Sequence, residues 1–149
     1  MLKAKDIMTR DVITVNQSTT IEELARILME HKISGAPVVD ENGKLAGVVT
    51  ENDLISQNRR LHIPTVVRLF DAFIMLESPA RIEKEIKKMA ANTVGDICTK
   101  DIITVGEDAA LEEVATIMYE KKVHLIPVLE GNRIKGIIGK MDLIKGISK

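Results

Sequence analysis

The sequence predicts an α/β fold of the α+β type, in which two β-α-β-β-α repeats pack about a pseudo-twofold axis with a helical linker between them. The main observation is an internal duplication. A shift of 90 positions places residues 6–38 on residues 96–128 with 15 identities in 33 pairs, where chance gives roughly one in sixteen. After the loss of one residue the shift becomes 89, and identical residues again align at Gly47, Asp53, Leu54 and Ile55.

Hydrophobic periodicity places the elements within each repeat. In the first repeat an apolar helical face begins at Ile21 and continues through Leu24 and Leu28, after a Ser-Thr-Thr run that supplies an N-terminal cap. Two β-branched runs then flank a Gly-containing turn, which predicts a hairpin. The predicted elements are a strand at 13–15, a helix at 21–30, and strands at 36–39 and 45–49. A small sheet with helices on one face cannot bury both sides alone, so the repeats are expected to pack together.

The segment between the repeats is longer than an ordinary connection. Pro64 can begin a helix over residues 65–76 that is apolar around most of its circumference, so this helix must lie on another surface. Its Phe70 and Phe73 either cover the chain's own repeats or form a dimer seam. A second, charged helix over residues 81–91 is expected to face solvent. The predicted units are repeat 1 at 1–60, the helical linker at 61–93 and repeat 2 at 94–149.

A strand-to-helix turn recurs near the end of each repeat. In the first repeat, Thr50 and Asp53 have the Ser/Thr-x-x-acid spacing that caps a helix without any ligand. In the second repeat, Gly139 has no hydroxyl to complete such a cap, yet Asp142 is still present. The recurring carboxylate therefore leaves two interpretations open, a structural cap and a binding group.

Composition argues against several classes of function. A net charge of -1 and 2% aromatic residues offer neither a basic surface nor stacking platforms, so nucleic-acid binding is not expected. The sequence shows no signal-peptide pattern and no apolar run of membrane-spanning length, so we expect a cytoplasmic protein without membrane association. His31, His62 and His124 lack paired ligand spacing, which predicts no metal site. Cys98 aligns with Met8 and is expected to be a small buried hydrophobe.

Catalytic signatures are also missing from the sequence. There is no Gly-x-Ser-x-Gly elbow and no Cys-His arrangement with an orienting partner. Residues 131–137 begin like a phosphate loop but lack its Lys-Ser/Thr end. We therefore predict that the protein is not an enzyme and that it has no catalytic residues and no cofactor.

With the duplication, the hairpin and the recurring turn in place, the sequence resembles a CBS-domain pair, the tandem module named after cystathionine β-synthase. The resemblance covers residues 2–55 and 94–144. Its specific motifs in the first copy, each with a counterpart in the second, are Ile7-Met8-Thr9, Ile33–Asp40 and Gly47–Asp53. Pairs of this family commonly bind adenosine compounds such as AMP, ADP, ATP or S-adenosylmethionine in clefts between the copies, and they regulate an attached or separate partner.

The resemblance implies two ligand clefts, each shared between the copies. In the first cleft, Asp53 matches the carboxylate that binds the ribose hydroxyls, and Thr50 matches the hydroxyl that meets the first phosphate. The segment of the second copy that would hold the adenine and phosphates is Val123, His124, Leu125 and Ile126, with Leu125 where the family often has a basic residue. The second cleft would use Thr14, Ile33, Ser34, Gly35, Ala36, Asp142 and Gly139, which replaces the usual Ser or Thr.

These implied sites lead to a functional expectation. We predict a stand-alone regulatory module that senses an adenosine ligand, acts on an unidentified enzyme or transporter, and forms a homodimer. The alternative is a ligand-free module for protein–protein interaction or dimerisation. Of the two clefts, the one with Thr50, Asp53 and His124 is expected to bind more tightly, because Gly139 offers the other no hydroxyl.

Overall fold

The computed structural model describes residues 1–57 and 93–149, and the predicted β-α-β-β-α order is found in both parts. The first part contains α1 (Ala4–Ile7), β1 (Val15–Asn16), α2 (Ile21–His31), β2 (Gly35–Val39), β3 (Leu45–Thr50) and α3 (Glu51–Gln57). The second contains α4 (Val94–Ile97), β4 (Val105–Gly106), α5 (Leu111–Lys121), β5 (Leu125–Glu130), β6 (Arg133–Gly139) and α6 (Lys140–Ile147). The predicted linker helices at 65–76 and 81–91, with Phe70 and Phe73, lie outside the described residues.

Helix α2 begins and ends where the sequence provides the signals. The Thr20 hydroxyl oxygen accepts a hydrogen bond from the backbone N–H three residues later at 3.1 Å, which satisfies one free donor of the first turn. Leu24 and Leu28 are buried along its apolar face. The helix ends before Lys32, whose backbone is left-handed at φ 53°, and Lys122 follows α5 in the same way at φ 55°. The two helices therefore end in the same way, but α5 begins after Ala110, which has no side chain to cap it.

Each repeat contains a three-stranded sheet with one parallel and one antiparallel pair. Strand β1 runs parallel to β2 and β2 antiparallel to β3, and β4, β5 and β6 repeat this arrangement. The β2–β3 turn is held by Asp40, whose Oδ1 accepts the backbone N–H groups of Asn42 at 2.8 Å and Lys44 at 3.0 Å. Gly43 in this turn has φ 77°, a conformation that glycine adopts more readily than any other residue. The hairpin predicted from the sequence is therefore confirmed.

The first segment of repeat 1, residues 2–9, crosses to repeat 2, and we call it arm 1. The Ala4 N–H donates to the backbone oxygen of Ala109 at 2.7 Å. Thr9 exchanges two backbone hydrogen bonds with Ile137 on β6, at 2.8 and 2.9 Å. Arm 1 is therefore joined by backbone hydrogen bonds to the opposite repeat.

The corresponding segment of repeat 2, residues 93–99, crosses to repeat 1, and we call it arm 2. The Val94 N–H donates to the backbone oxygen of Thr19 at 2.8 Å. Thr99 exchanges two backbone hydrogen bonds with Val48 on β3, at 3.0 and 2.9 Å. The crossing is thus reciprocal, and neither it nor the short helices α1 and α4 within the arms followed from the sequence analysis.

The two arms complete two hydrophobic cores. Val94 of arm 2 is completely buried in the core of repeat 1, and Ala4 of arm 1 is completely buried in the core of repeat 2. The other buried residues of the first core are Val15, Leu24, Leu28, Ala36, Val38 and Val49. Those of the second core are Ile7, Met8, Val105, Val114, Met118, Ile126, Val128 and Ile138. Withdrawal of either arm would expose apolar surface in both repeats, which stabilises their relative position.

Glycines on the closing strands make room for the arms. An added Cβ on Gly47 in β3 would lie 2.8 Å from the backbone oxygen of Thr99 and 2.9 Å from Sγ of Cys98. An added Cβ on Gly136 in β6 would lie 2.5 Å from Sδ of Met8. The aligned Met8 and Cys98 therefore occupy equivalent places, each against a glycine, although Cys98 is half-buried rather than fully buried.

We expect Gly47→Ala to destabilise the protein by roughly 1–3 kcal/mol, because the added methyl group overlaps the arm 2 backbone. The matched control is Gly106→Ala in the sheet of repeat 2, where an added Cβ meets no atom within 4 Å. Chemical denaturation of both variants measures the difference. Equal losses of stability in the two variants would contradict the close packing of arm 2 on β3.

Candidate functional site

A cavity of about 260 Å³ lies between the turn that follows β3 and segments of the second repeat. The first repeat contributes Val48, Thr50, Asn52 and Asp53. The second repeat contributes Thr99, Asp101, Ile102, Ile103, Lys122, Val123, His124 and Leu125. Apolar walls with a few polar groups are typical of small-molecule sites, and the volume lies just below their usual range of roughly 300–1,000 Å³. The cavity brings the predicted Thr50 and Asp53 together with the predicted segment 123–125.

The Thr50–Asp53 turn combines a helix cap with an available carboxylate oxygen. The Thr50 N–H donates to Oδ2 of Asp53 at 2.8 Å, and the Thr50 hydroxyl lies 3.5 Å from the same oxygen. The carboxylate therefore caps helix α3 through Oδ2, as the structural interpretation requires. Oδ1 of Asp53 has no hydrogen-bond partner among residues 1–57 and 93–149. One carboxylate thus serves the fold with one oxygen and leaves the other free for a ligand.

The opposite wall combines apolar and charged side chains. Ile102, Ile103 and Val123 are half-buried, whereas Asp101 and Lys122 are exposed. The described lining residues therefore include two carboxylates, counting Asp53, and one lysine. A cavity with this balance has no excess of positive charge to hold a highly charged anion.

The predicted residues outside this cavity have different surroundings. The side chains of Ile126 and Ala36 are completely buried in the two cores, so either residue could contact a ligand only through its backbone. Gly35 is buried in β2, and Thr14 and Ser34 are exposed. The remaining predicted residues are Ile33, which is half-buried against the first core, and Gly139 and Asp142, which form the second turn.

The Leu125 side chain lies next to Gly35 of the first repeat and Gly139 of the second. An added Cβ on Gly35 would lie 3.0 Å from Cδ2 of Leu125, and one on Gly139 would lie 3.8 Å from its Cδ1. Leu125 pairs with Gly139 across the β5–β6 hairpin, just as Gly35 pairs with Thr50 across the β2–β3 hairpin. Leu125 therefore packs between two glycines, one from each repeat.

Several residues that line the cavity were not predicted from the sequence, although identities between the two repeats indicate some of them. The polar residues missed are Asn52, Thr99, Asp101 and Lys122. Three of these are identical between the repeats, in the pairs Thr9/Thr99, Asp11/Asp101 and Lys32/Lys122. Identical polar residues at equivalent exposed positions are candidates for binding, because packing does not require their identity.

Residues 1–57 and 93–149 contain neither a candidate metal cluster nor a candidate membrane-spanning helix. No group of three or more His, Cys, Asp or Glu side chains in these ranges could hold a metal ion. In the same ranges no helix combines the length and apolar character needed to cross a membrane.

Comparison with known families identifies the repeats. The model of the CBS domain matches residues 4–59 and again residues 94–149. The chain belongs to the CBS domain family. The two matches include most of both arms, from residues 4 and 94, and both turns that follow the closing strands, so this protein contains a CBS pair.

Similar CBS pairs occur in chains of different length. The uncharacterized protein MJ1426 of Methanocaldococcus jannaschii is 29% identical, over 96% of this chain and 89% of its own length. Inosine-5′-monophosphate dehydrogenase of the same organism is 31% identical over 96% of this chain, but the chain spans only 23% of that enzyme. The CBS domain pair of protein MJ0100, solved with 5′-methylthioadenosine and S-adenosyl-L-methionine, is 26% identical with a TM-score of 0.74. That likeness covers 99% of this chain and 97% of the other.

We expect alkylation of Cys98 by iodoacetamide to require a higher pH in the folded protein than in the protein unfolded by urea. Burial raises the pKa of this thiol, with Lys100 opposing the rise and Asp53 adding to it. The thiolate is the reactive form, so its appearance is delayed to higher pH. The raised pKa also stabilises the fold below the ordinary thiol pKa, and this contribution is lost as the pH rises through the raised value.

The Asp53→Asn variant is the control, because it removes a negative charge that disfavours the thiolate and should shift the alkylation profile to lower pH. A folded profile at or below the pH of the unfolded one would contradict the burial of the Cys98 thiol.

Proposed function

We propose that this CBS pair is a regulatory module that binds an adenosine compound in the cavity between the Thr50–Asp53 turn and the second repeat. The observation that carries the proposal is the Asp53 carboxylate, which lines the cavity and caps α3 through Oδ2 while Oδ1 has no partner among the described residues. Support also comes from the related CBS pair of MJ0100, which was solved with two adenosine compounds.

The cavity offers a surface for each part of an adenosine. The half-buried Ile102, Ile103 and Val123 provide an apolar wall for the adenine ring. The two ribose hydroxyls are donors, and an ionised carboxylate oxygen such as Oδ1 of Asp53 accepts strong hydrogen bonds from them. The exposed Lys122 can approach a group attached to the 5′ position. The substituent at that position is therefore the part of the ligand that discriminates between compounds.

Charge favours a ligand with few phosphates. Asp53 and Asp101 offset Lys122, and Leu125 supplies no charge where a basic residue is common in the family. A triphosphate would bring several negative charges to a lining with one lysine, whereas 5′-methylthioadenosine brings none and S-adenosylmethionine brings a positive sulfonium. We therefore expect these two compounds and AMP to bind more tightly than ATP.

We further propose that the ligand signals to a partner enzyme or transporter and that the CBS pair itself does not catalyse a reaction. The likeness to inosine-5′-monophosphate dehydrogenase supports this, because a segment similar to 96% of this chain makes up only 23% of that enzyme. The cytoplasmic location expected from the sequence stays a prediction.

Calorimetric titration with 5′-methylthioadenosine, S-adenosylmethionine, AMP and ATP tests the proposed site. We expect Asp53→Asn to weaken the tightest binding phase roughly tenfold to a hundredfold, because a hydrogen bond to a charged group is lost. The asparagine oxygen can still accept the Thr50 N–H, so the helix cap is retained. The matched variant Asp142→Asn, at the equivalent position of repeat 2, should leave that phase unchanged.

Two results would contradict this assignment. Loss of the tight phase in Asp142→Asn with retention in Asp53→Asn would place the dominant site in the second cleft. Binding of none of the four compounds would favour the alternative, a ligand-free interaction module.

We also propose a homodimer, supported by apolar side chains that stay exposed at equivalent positions of the two repeats. Met29 on α2 corresponds to Tyr119 on α5, with exposed fractions of 72% and 85%. Ile55 on α3 corresponds to Ile144 on α6, with exposed fractions of 68% and 53%. Large apolar side chains grouped on surface helices are typical of interfaces, and symmetric pairing is the commonest arrangement.

We expect the double variant Met29→Glu/Tyr119→Glu to shift the mass measured by light scattering from dimer to monomer, because charged side chains cannot be buried unpaired at an interface. The control is Glu113→Lys, an exposed change elsewhere on α5, which should leave the mass unchanged. A monomeric mass for the unmodified protein at micromolar concentration would contradict the homodimer.

A further inference from the structure

The carboxylates of the two clefts differ in how far they are already hydrogen-bonded. In the second cleft, Oδ2 of Asp142 accepts the Gly139 N–H at 2.8 Å, and Oδ1 accepts the hydroxyl of Thr9 at 3.0 Å. In the first cleft, Oδ2 of Asp53 accepts the equivalent backbone N–H at 2.8 Å. The hydroxyl of Thr99, the counterpart of Thr9, forms no hydrogen bond with Asp53. Both oxygens of Asp142 are therefore engaged within the chain, whereas one oxygen of Asp53 is available.

The backbone holds Thr9 in this position. Thr9 exchanges hydrogen bonds with Ile137 at 2.8 and 2.9 Å, and the preceding Met8 is buried in the core of repeat 2. Thr99 has the same backbone pairing with Val48, so the difference between the clefts lies in the side-chain hydrogen bond and not in the arms. A hydroxyl of a ligand that approaches Oδ1 of Asp142 would have to displace a hydroxyl that the fold has already placed there.

We propose that Thr9 is an intramolecular competitor that occupies Asp142 and keeps the second cleft weak, so that the CBS pair binds one adenosine compound tightly per chain. This inference rests on the proposed function, because it concerns the same ligand class. Thr9 thus determines whether a ligand occupies the second cleft. It acts through its hydrogen bond to Asp142, although it belongs to the opposite repeat.

The missing hydroxyl at Gly139 is a separate reason to expect weak binding in the second cleft, and its effect can be tested independently of Thr9. An added Cβ at Gly139 would lie 3.7 Å from Oδ2 of Asp142 and no closer to any other atom, which is an ordinary contact. Gly139→Ser is therefore sterically allowed and supplies a hydroxyl. Because it leaves the Thr9–Asp142 bond in place, this substitution alone is not expected to strengthen ribose binding in the second cleft.

Calorimetric titration of the full chain with 5′-methylthioadenosine isolates the ribose contact, because this probe carries no phosphate. The unmodified protein should bind one equivalent tightly, and Thr9→Val should strengthen the second site roughly tenfold or more, since a hydrogen bond to a carboxylate no longer has to be displaced. Thr9→Ser, which keeps the hydroxyl, should behave like the unmodified protein. Thr99→Val, the change at the equivalent position, should not strengthen the second site.

A second site unchanged by Thr9→Val, or strengthened equally by Thr99→Val, would overturn the inference while leaving the proposed function in place. Tight binding of two equivalents of 5′-methylthioadenosine by the unmodified protein would also overturn the inference and leave the proposed function in place. Absence of all binding to the unmodified protein, with this probe and with AMP and S-adenosylmethionine, would reject the proposed function and this inference with it.

The Thr9–Asp142 hydrogen bond can also be tested by a stability measurement without ligand. Double-mutant cycles on unfolding stability compare Thr9→Val/Asp142→Ala with Thr99→Val/Asp53→Ala, because alanine, unlike asparagine, has no group that could form a hydrogen bond with the threonine hydroxyl. Coupling is expected in the first cycle only, because only the first pair is hydrogen-bonded. Additive effects in the first cycle would overturn the inference.

Discussion

The backbone pairing of each arm with the closing strand of the opposite repeat is the interaction on which the rest of the structure depends. Thr9 pairs with Ile137 and Thr99 pairs with Val48, each through two hydrogen bonds. Since each arm also buries apolar side chains in the opposite core, neither core is complete without both repeats. The cavity between the repeats therefore has walls that are fixed relative to each other before any ligand arrives.

The two repeats differ where Gly35, Leu125 and Gly139 come together. Gly35 pairs with Thr50 in repeat 1, and Leu125 pairs with Gly139 in repeat 2, so a small residue faces a larger one in each hairpin. The Leu125 side chain fills the space beside both glycines. This packing requires a small residue at Gly35, where an added Cβ would lie 3.0 Å from Leu125, but it leaves room for a Cβ at Gly139. The missing hydroxyl at position 139 is therefore not imposed by Leu125.

The Asp53 carboxylate shows why a structural and a functional interpretation of one motif need not exclude each other. Its Oδ2 caps helix α3 through the Thr50 N–H, which is what the spacing of the two residues predicts. A cap of this type uses only one oxygen, and Oδ1 accepts no hydrogen bond from residues 1–57 and 93–149. At Asp142 the second oxygen accepts the Thr9 hydroxyl, so the equivalent carboxylates differ in the number of oxygens already hydrogen-bonded.

The sequence by itself determined the two repeats and the order of their elements, because periodicity, turn residues and a duplicated pattern are local or aligned in the sequence. That Thr50 and Asp53 would face the segment 123–125 was expected only from the resemblance to the CBS-domain pair. Only the tertiary structure decided that the arms cross, because backbone N–H and C=O groups pair without any side-chain signature. That crossing brings Thr9 to Asp142 across 133 positions of the chain, and among the described residues it thereby decides which carboxylate has both oxygens hydrogen-bonded.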